Sequence, residues 1–179
     1  MKLLILDRDG VINEDSDDFI KHPDEWRAIP GSLAAIQRLT QAGYTIAVAT
    51  NQSGIARGLY TRETLAAIHD KMRAAVEQAG GHIDQIFVCP HGPNDGCDCR
   101  KPRDGLMQQA QQHYQYPLTQ VWAVGDSLRD VQAAISAGAQ PALVRTGKGL
   151  RTLASNDPQL KAVPVFDDLA AFVAYLLQG

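Results

Sequence analysis

A chain of 179 residues, 45% hydrophobic and 21% charged, is long enough to bury a core and too short for two comfortable domains. Its 17 Lys and Arg against 20 Asp and Glu leave a net charge of −3, the wrong sign for a nucleic-acid binder. No apolar run is long enough to span a membrane, and the short run Leu3–Leu6 before Asp7 falls short of a secretory leader. A cytoplasmic protein is therefore expected, and a monomer, since no apolar stripe is left over.

Along the chain, short apolar runs alternate with helical patterns. Leu3–Leu6 reads as a strand that stops at Asp7. Polar Asn13–Pro30 follows, and then an amphipathic helix over Ser32–Ala42, with Leu33, Ile36 and Leu39 on one face and Gly43 as its stop. Tyr44–Ala49 is a second strand. The longest helical pattern is Thr61–Ala79, with Leu65, Ile68, Met72 and Val76 at helical spacing and Thr61 as N-cap. Gln85–Cys89 is a third strand, followed by the irregular stretch His91–Pro102. Beyond it come a helix over Leu106–Tyr114, a strand over Val121–Val124 and a helix over Leu128–Ala137 stopped by Gly138. Short strands at Ala142–Val144 and Val163–Phe166 and a helix over Asp168–Leu177 complete the chain. Strands this apolar, alternating with helices, predict an α/β fold: a Rossmann-like parallel sheet with helices on both faces. Such sheets bind ligands beyond the carboxyl ends of their strands.

Four polar motifs fall at those ends. Asp7-Arg8-Asp9-Gly10 follows the first strand and places two carboxylates where the chain turns; a solvated turn has the same composition. Thr50-Asn51-Gln52-Ser53-Gly54 follows the second and offers oxyanion donors at an expected helix start, where a simple cap would also serve. Arg100-Lys101-Pro102 follows the third and holds an ammonium next to a proline, or is a solvated basic pair. Gly125-Asp126-Ser127-Leu128-Arg129-Asp130 follows the fourth, with Asp126 at a helix start and Asp130 one turn later; capping alone would account for it. Together they supply carboxylates for a hard cation, oxyanion donors and a fixed positive charge, which is the equipment of phosphoryl transfer.

This order of motifs, Asp-x-Asp-Gly, Thr-Asn, Lys and Gly-Asp-x-x-x-Asp, spans nearly the whole chain and resembles the haloacid dehalogenase superfamily in its phosphatase branch. The resemblance implies that Asp7 is the nucleophile and Asp9 the general acid and then base. It implies Mg²⁺ held by the Asp7 carboxylate, the Asp9 main-chain carbonyl and Asp126, with Asp130 supporting that site. Thr50 and Lys101 would bind the transferring phosphoryl oxygens. The length leaves no room for a separate cap domain, so residues 1–179 are expected to form one domain. Receiver-type signalling domains share Asp, Thr and Lys, but their acidic pair precedes the nucleophile strand and they lack an acid two residues after it.

All three cysteines lie within eleven residues, as Cys89-x-His91 and Cys97-x-Cys99. Three thiolates and an imidazole complete a tetrahedral shell, so a structural Zn²⁺ is expected on the loop 89–99, pinning the chain just before Lys101. The zinc-loop pattern resembles two groups, the heptose bisphosphate phosphatases and the histidinol-phosphate phosphatases. The stretch Thr50–Gly58, with Arg57-Gly58, resembles the first. That resemblance implies a sugar bisphosphate substrate losing its 7-phosphate in nucleotide-heptose synthesis for surface glycans, with histidinol phosphate as the alternative. Asn51, Ser53, Arg57 and Arg100 are the candidates for binding the substrate. Position 127 is Ser where the heptose group often carries Lys, and Arg129 or Lys148 is the candidate substitute. Glu14, His22 and Trp26 are placed either at the sugar or in the structure of the mouth.

Overall fold

The computed structural model describes all residues 1–179. Six parallel strands form one sheet in the order β3-β2-β1-β4-β5-β6. They are β1 (Leu3–Leu6), β2 (Thr45–Asn51), β3 (Gln85–Cys89), β4 (Trp122–Gly125), β5 (Gln140–Val144) and β6 (Val165–Phe166). The helices are α1 (Ser32–Gln41), α2 (Arg62–Gln78), α3 (Gly105–Tyr114), α4 (Leu128–Ala137), α5 (Gly149–Ala154) and α6 (Leu169–Gln178). No helix is long and apolar enough to cross a membrane.

The two-residue period of β1 explains the layers. Leu4 and Leu6 join a buried cluster with Ile36 and Leu39 of α1, Ile68, Met72 and Val76 of α2 and Phe172 of α6. Leu3 and Ile5 face the other way, onto Leu106, Met107 and Ala110 of α3 and Ala134 of α4. A strand buried on both faces has no polar alternation to display, which is why its sequence is continuously apolar. From β1 the chain steps outward through β2 to β3 and then resumes with β4 on the other side of β1, so strand order reverses between β1 and β4. The crevice for a ligand therefore opens beyond Leu6, Asn51 and Gly125.

Local boundaries differ from the sequence reading for identifiable reasons. β2 runs on to Asn51 because Thr50 and Asn51 pair with Val88 and Cys89. No helix starts at Thr50–Gly54: residues 53–60 form turns, and α2 begins only after Thr61, whose hydroxyl caps Thr64 N. The cap of α4 is Ser127, not Asp126. Short α5 and the 3₁₀ turns at Pro23–Glu25, Leu118–Gln120 and Pro158–Leu160 have too few residues for a period to emerge.

Candidate active site

Asp7 leaves the tip of β1 with its N–H on Val124 O (2.9 Å), which locks the turn to β4. Gly10 follows with φ +83°, and a Cβ there would stand 2.0 Å from Asp126 Oδ2. Only glycine permits that approach. The Asp126 carboxylate is thus enclosed by two backbones, Gly10 and Gly147, and accepts from Lys148 N at 2.8 Å. Carboxylate oxygens of Asp7, Asp126 and Asp130 all lie within 4.8 Å of one another.

Lys101 sits among these acids and is 5% exposed. Its Nζ reaches Asp7 Oδ1 at 3.1 Å, Asp130 Oδ1 at 2.7 Å and Ala49 O at 2.9 Å. The contact to Asp130 is an ion pair, not an aligned hydrogen bond. Asp130 is further committed through Oδ2, which accepts from Asp126 N (3.1 Å), Ser127 N (3.1 Å) and Ser127 Oγ (2.8 Å). It holds the turn and the lysine in place and leaves the open carboxylate edges to Asp7 and Asp126. One ammonium cannot neutralise three buried acids. Burial, and then the Asp130 charge, push the Asp7 carboxyl up to about 7 against the pull of Lys101. Burial, Asp7 and Asp130 push Asp126 up to about 9. A hard divalent cation among Asp7 and Asp126 fits this charge excess and this oxygen-only donor set.

Asp9 turns its carboxylate away from that cluster. Oδ1 accepts from Arg8 Nε (3.1 Å), Arg8 Nη2 (2.8 Å) and Asn13 Nδ2 (2.9 Å), and Oδ2 accepts from Gln52 Nε2 (3.1 Å). Burial alone would raise its pKa, but Arg8 and the hydrogen bonds from Asn13, Arg8 and Gln52 outweigh burial and hold it below the usual carboxylate range.

The cleft is lined by Asp7, Asp9, Asp15, Ser16, Asp17, Phe19, Ile20, Asn51, Gln52, Ser53, Arg57, Arg100, Lys101, Asp126, Arg129 and Lys148. The sequence candidates are largely brought together here, with qualifications. Thr50 is buried behind the wall and its hydroxyl accepts from Gln52 Nε2 at 2.9 Å. Asn51 commits both ends of its amide to the main chain of Lys101, with Oδ1 accepting from Lys101 N (3.0 Å) and Nδ2 donating to Lys101 O (3.1 Å). It positions the lysine. Glu14 and His22 are exposed outside the cleft, and Trp26 is buried in the main apolar cluster, so none of the three reaches the mouth. The same segment instead contributes Asp15, Ser16, Asp17, Phe19 and Ile20. Asp15 pairs with Lys148 at 2.9 Å and Asp17 with Arg151 at 3.4 Å, tying the segment across to α5. Phe19, at φ +65°, stacks under Arg57, whose Nε donates to Ser53 Oγ. Their signal in sequence is weak, because acids in a polar loop usually face solvent.

Arg57, Arg100 and Arg129 have no carboxylate partner. Burial, and then Arg129 and Arg57, lower the pKa of Arg100. Three uncompensated guanidinium groups on one wall demand an anion.

Behind that wall, Cys89, His91, Cys97 and Cys99 present donor atoms within 4.8 Å of one another. Cys89 Sγ to Cys97 Sγ is 3.7 Å, Cys89 Sγ to His91 Nδ1 3.5 Å and His91 Nδ1 to Cys99 Sγ 3.3 Å. These match the edges of a tetrahedron with bonds of about 2.0–2.3 Å; Cys89 to Cys99 is tighter, at 2.8 Å. No disulfide forms. Burial raises the Cys97 thiol, but the Arg100 N–H, Cys89 and the Cys99 N–H outweigh it and hold it down to about 7. Burial raises Cys89, and burial and then Cys89 push Cys99 up to about 12. Crowded thiols of this kind become thiolates together only when a cation joins them.

Residues 98–172 match the HAD-hydrolase-like family model. A D-glycero-beta-D-manno-heptose-1,7-bisphosphate 7-phosphatase of Bordetella bronchiseptica is 58% identical over 99% of both chains. The protein of the same name in Pseudomonas putida is 56% identical over 99% of this chain and all of its own. The crystal structure of D,D-heptose 1,7-bisphosphate phosphatase from B. bronchiseptica, complexed with magnesium and phosphate, aligns with a TM-score of 0.97 over 99% of each chain at 58% identity. The Burkholderia thailandensis enzyme aligns over the full length of both chains at a TM-score of 0.80 and 44% identity.

Proposed function

The chain belongs to the haloacid dehalogenase-like hydrolases, in the group of heptose 1,7-bisphosphate 7-phosphatases, and from that premise we propose how its residues perform the reaction. The enzyme removes the 7-phosphate of D-glycero-β-D-manno-heptose 1,7-bisphosphate. The observation that carries this reading is the division of the cleft: Lys101 and the acids at one end, and Arg57, Arg100 and Arg129 without counter-ions on the wall. Such a cleft suits a small molecule with two phosphates. Histidinol phosphate has one phosphate and a cationic amine, which three free arginines would repel, and the relatives named above act on the heptose.

An Asp7 oxygen attacks phosphorus in line with the C7 oxygen. The P–O7 bond breaks, the alkoxide takes a proton from Asp9, and an aspartyl phosphate remains on Asp7. Asp9 then accepts a proton from water as that water attacks the phosphoryl group, releasing phosphate and restoring the Asp7 carboxylate. Lys101 faces the growing phosphoryl charge and offsets its repulsion with Asp7. Asp7, Asp126 and the Asp9 carbonyl are the groups that would hold Mg²⁺, which when bound neutralises the carboxylates and the phosphate dianion. Asn51 and Asp130 keep Lys101 in place. Arg57, Arg100 and Arg129, with Ser53, grip the 1-phosphate, and Arg129 takes the task often given to Lys at position 127. Cys89, His91, Cys97 and Cys99 hold a structural Zn²⁺ that fixes the loop leading to Lys101. We read residues 1–179 as one cytoplasmic catalytic unit without a separate cap, acting as a monomer, with the Asp15–Phe19 segment and the zinc loop shaping the mouth.

The test is a comparison of kcat/KM on the heptose bisphosphate and on histidinol phosphate. A preference for the heptose by at least about 100-fold is expected, since two lost charge-assisted contacts cost about 3 kcal/mol or more. Equal or reversed values would overturn the assignment.

A further inference from the structure

Behind the cleft, Asp9 and Gln52 are backed by a buried chain of polar contacts through Arg8, His69 and Tyr60, which lie outside the lining and which the reaction described above does not use. Arg8 lies between the two catalytic acids yet is fully buried, with 0% exposure. Its Nε and Nη2 both grip Asp9 Oδ1, and its Nη1 meets His69 Nε2 at 3.1 Å. A guanidinium has no lone pair to offer, so Nε2 is the acceptor and the imidazole carries its proton on Nδ1. His69 is 7% exposed. Burial, followed by the Arg8 charge, drives its pKa down to about 3, in keeping with an unprotonated ring. On the far side, Gln52 Nε2 donates to Asp9 Oδ2 while Gln52 Oε1 accepts from Tyr60 OH at 2.5 Å.

This leaves the two Asp9 oxygens unequal. Oδ1 receives three hydrogen bonds and is saturated, whereas Oδ2 receives one. A proton can therefore be carried only on Oδ2, and the carboxylate plane that aims Oδ2 is fixed by the Arg8 fork. Arg8 itself has no carboxylate partner other than Asp9 and, beyond Asp9, meets a side-chain acceptor only at His69.

We propose that His69 is a positioning residue for the leaving-group step: by anchoring Arg8 Nη1 it fixes the orientation of the guanidinium and thereby aims Asp9 Oδ2 at the departing oxygen. The inference rests on the reading of Asp9 as the general acid. Its position on α2 supports a specific role, because Leu65, His69, Met72 and Val76 share one buried stripe on which an apolar residue would pack at lower desolvation cost.

The test compares two substrates whose leaving groups differ in their need for a proton. The heptose bisphosphate expels an alkoxide and needs Asp9; 4-nitrophenyl phosphate expels a stabilised phenolate and does not. Because kcat/KM covers only the steps through departure of the alcohol, hydrolysis of the aspartyl phosphate does not enter. For His69→Ala, kcat/KM on the heptose bisphosphate should fall by about tenfold or more, a part of the effect of general acid catalysis, with less than about threefold loss on 4-nitrophenyl phosphate. His69→Gln, whose Oε1 can accept from Arg8, should recover most of the loss. His69→Leu, which fills the same buried stripe without an acceptor, should repeat the selective loss and keeps the experiment decisive if the alanine variant fails to fold. Asp9→Asn serves as reference and should show the same selectivity, larger. Equal losses on both substrates in the folded alanine or leucine variant, or no loss on either substrate, overturn the positioning role while Asp9→Asn remains selective. If Asp9→Asn itself loses equally on both, the general-acid reading fails, and the role of His69 falls with it.

Discussion

At the scale of single residues, the site is organised by saturation. Lys101 Nζ donates to Asp7 and to Ala49 O and pairs with Asp130, Asn51 spends both ends of its amide on the main chain of Lys101, and Asp130 engages both oxygens. What is left under-satisfied is what substrate and cation are to meet: Asp7, Asp126 and three arginines. The same logic gives His69 a signature in stability. Its pKa is near 3 in the folded protein and 6.5 when unfolded, so between those values the unfolded chain binds more protons. Stability is thus fully present above about pH 6.5 and is lost as pH falls toward 3, by up to about 1.4 kcal/mol per pH unit. Urea unfolding of wild type and His69→Gln at pH 7.5 and 5 checks this: the variant should lose less stability over that interval than wild type. An equal loss would show that the ring is not buried neutral.

At the scale of elements, the meeting of the cleft carboxylates depends on how strands end. Asp7 and Asp126 meet because β1 and β4 are neighbours in register, Leu6 beside Val124, and because Gly10 leaves space for the Asp126 carboxylate. The loop after β3 is a different case. It buries little, and it is tied by Arg100 to His91 O and by Arg103 to Cys97 O. Asn51 holds Lys101 from β2, but without the proposed zinc the loop ahead of it has little to hold Arg100 at the cleft. Protein purified without chelators is expected to carry about one zinc per chain. Stripping it, then restoring Mg²⁺ alone, should lower both the melting temperature and kcat, and added Zn²⁺ should reverse both. A zinc-free protein with unchanged kcat and melting temperature would contradict this. The strands, the long helices and the gathering of Cys89, His91, Cys97 and Cys99 were legible in the sequence because each is a local pattern: an apolar run, a 3.6-residue period, a close spacing. The cap of α4 was misplaced by one residue, because Asp126 and Ser127 are both capping types and only the path of the chain decides between them.

At the scale of the whole molecule, parallel topology gathers four distant motifs at one rim, and this much followed from their shared position after strands. Side-chain direction did not follow. Glu14, His22 and Trp26 could not be separated from Asp15–Phe19 by composition, since the decision lies in Ile12 and Ile20 sinking into the core and leaving Asp15, Ser16, Asp17 and Phe19, between them, along the cleft. Tyr60 and His69 were equally hidden, although a histidine on the stripe of Leu65 and Met72 is a visible irregularity. Attack by Asp7 on one particular phosphate of a sugar bisphosphate, with the other held by the arginine wall, is read out by following D-glycero-β-D-manno-heptose 1,7-bisphosphate by phosphorus NMR with wild type and Asp7→Asn. The 7-phosphate signal should disappear with the anomeric 1-phosphate retained, and Asp7→Asn should show no turnover. Release of the anomeric phosphate first, or near-normal turnover by Asp7→Asn, would rule this attack out.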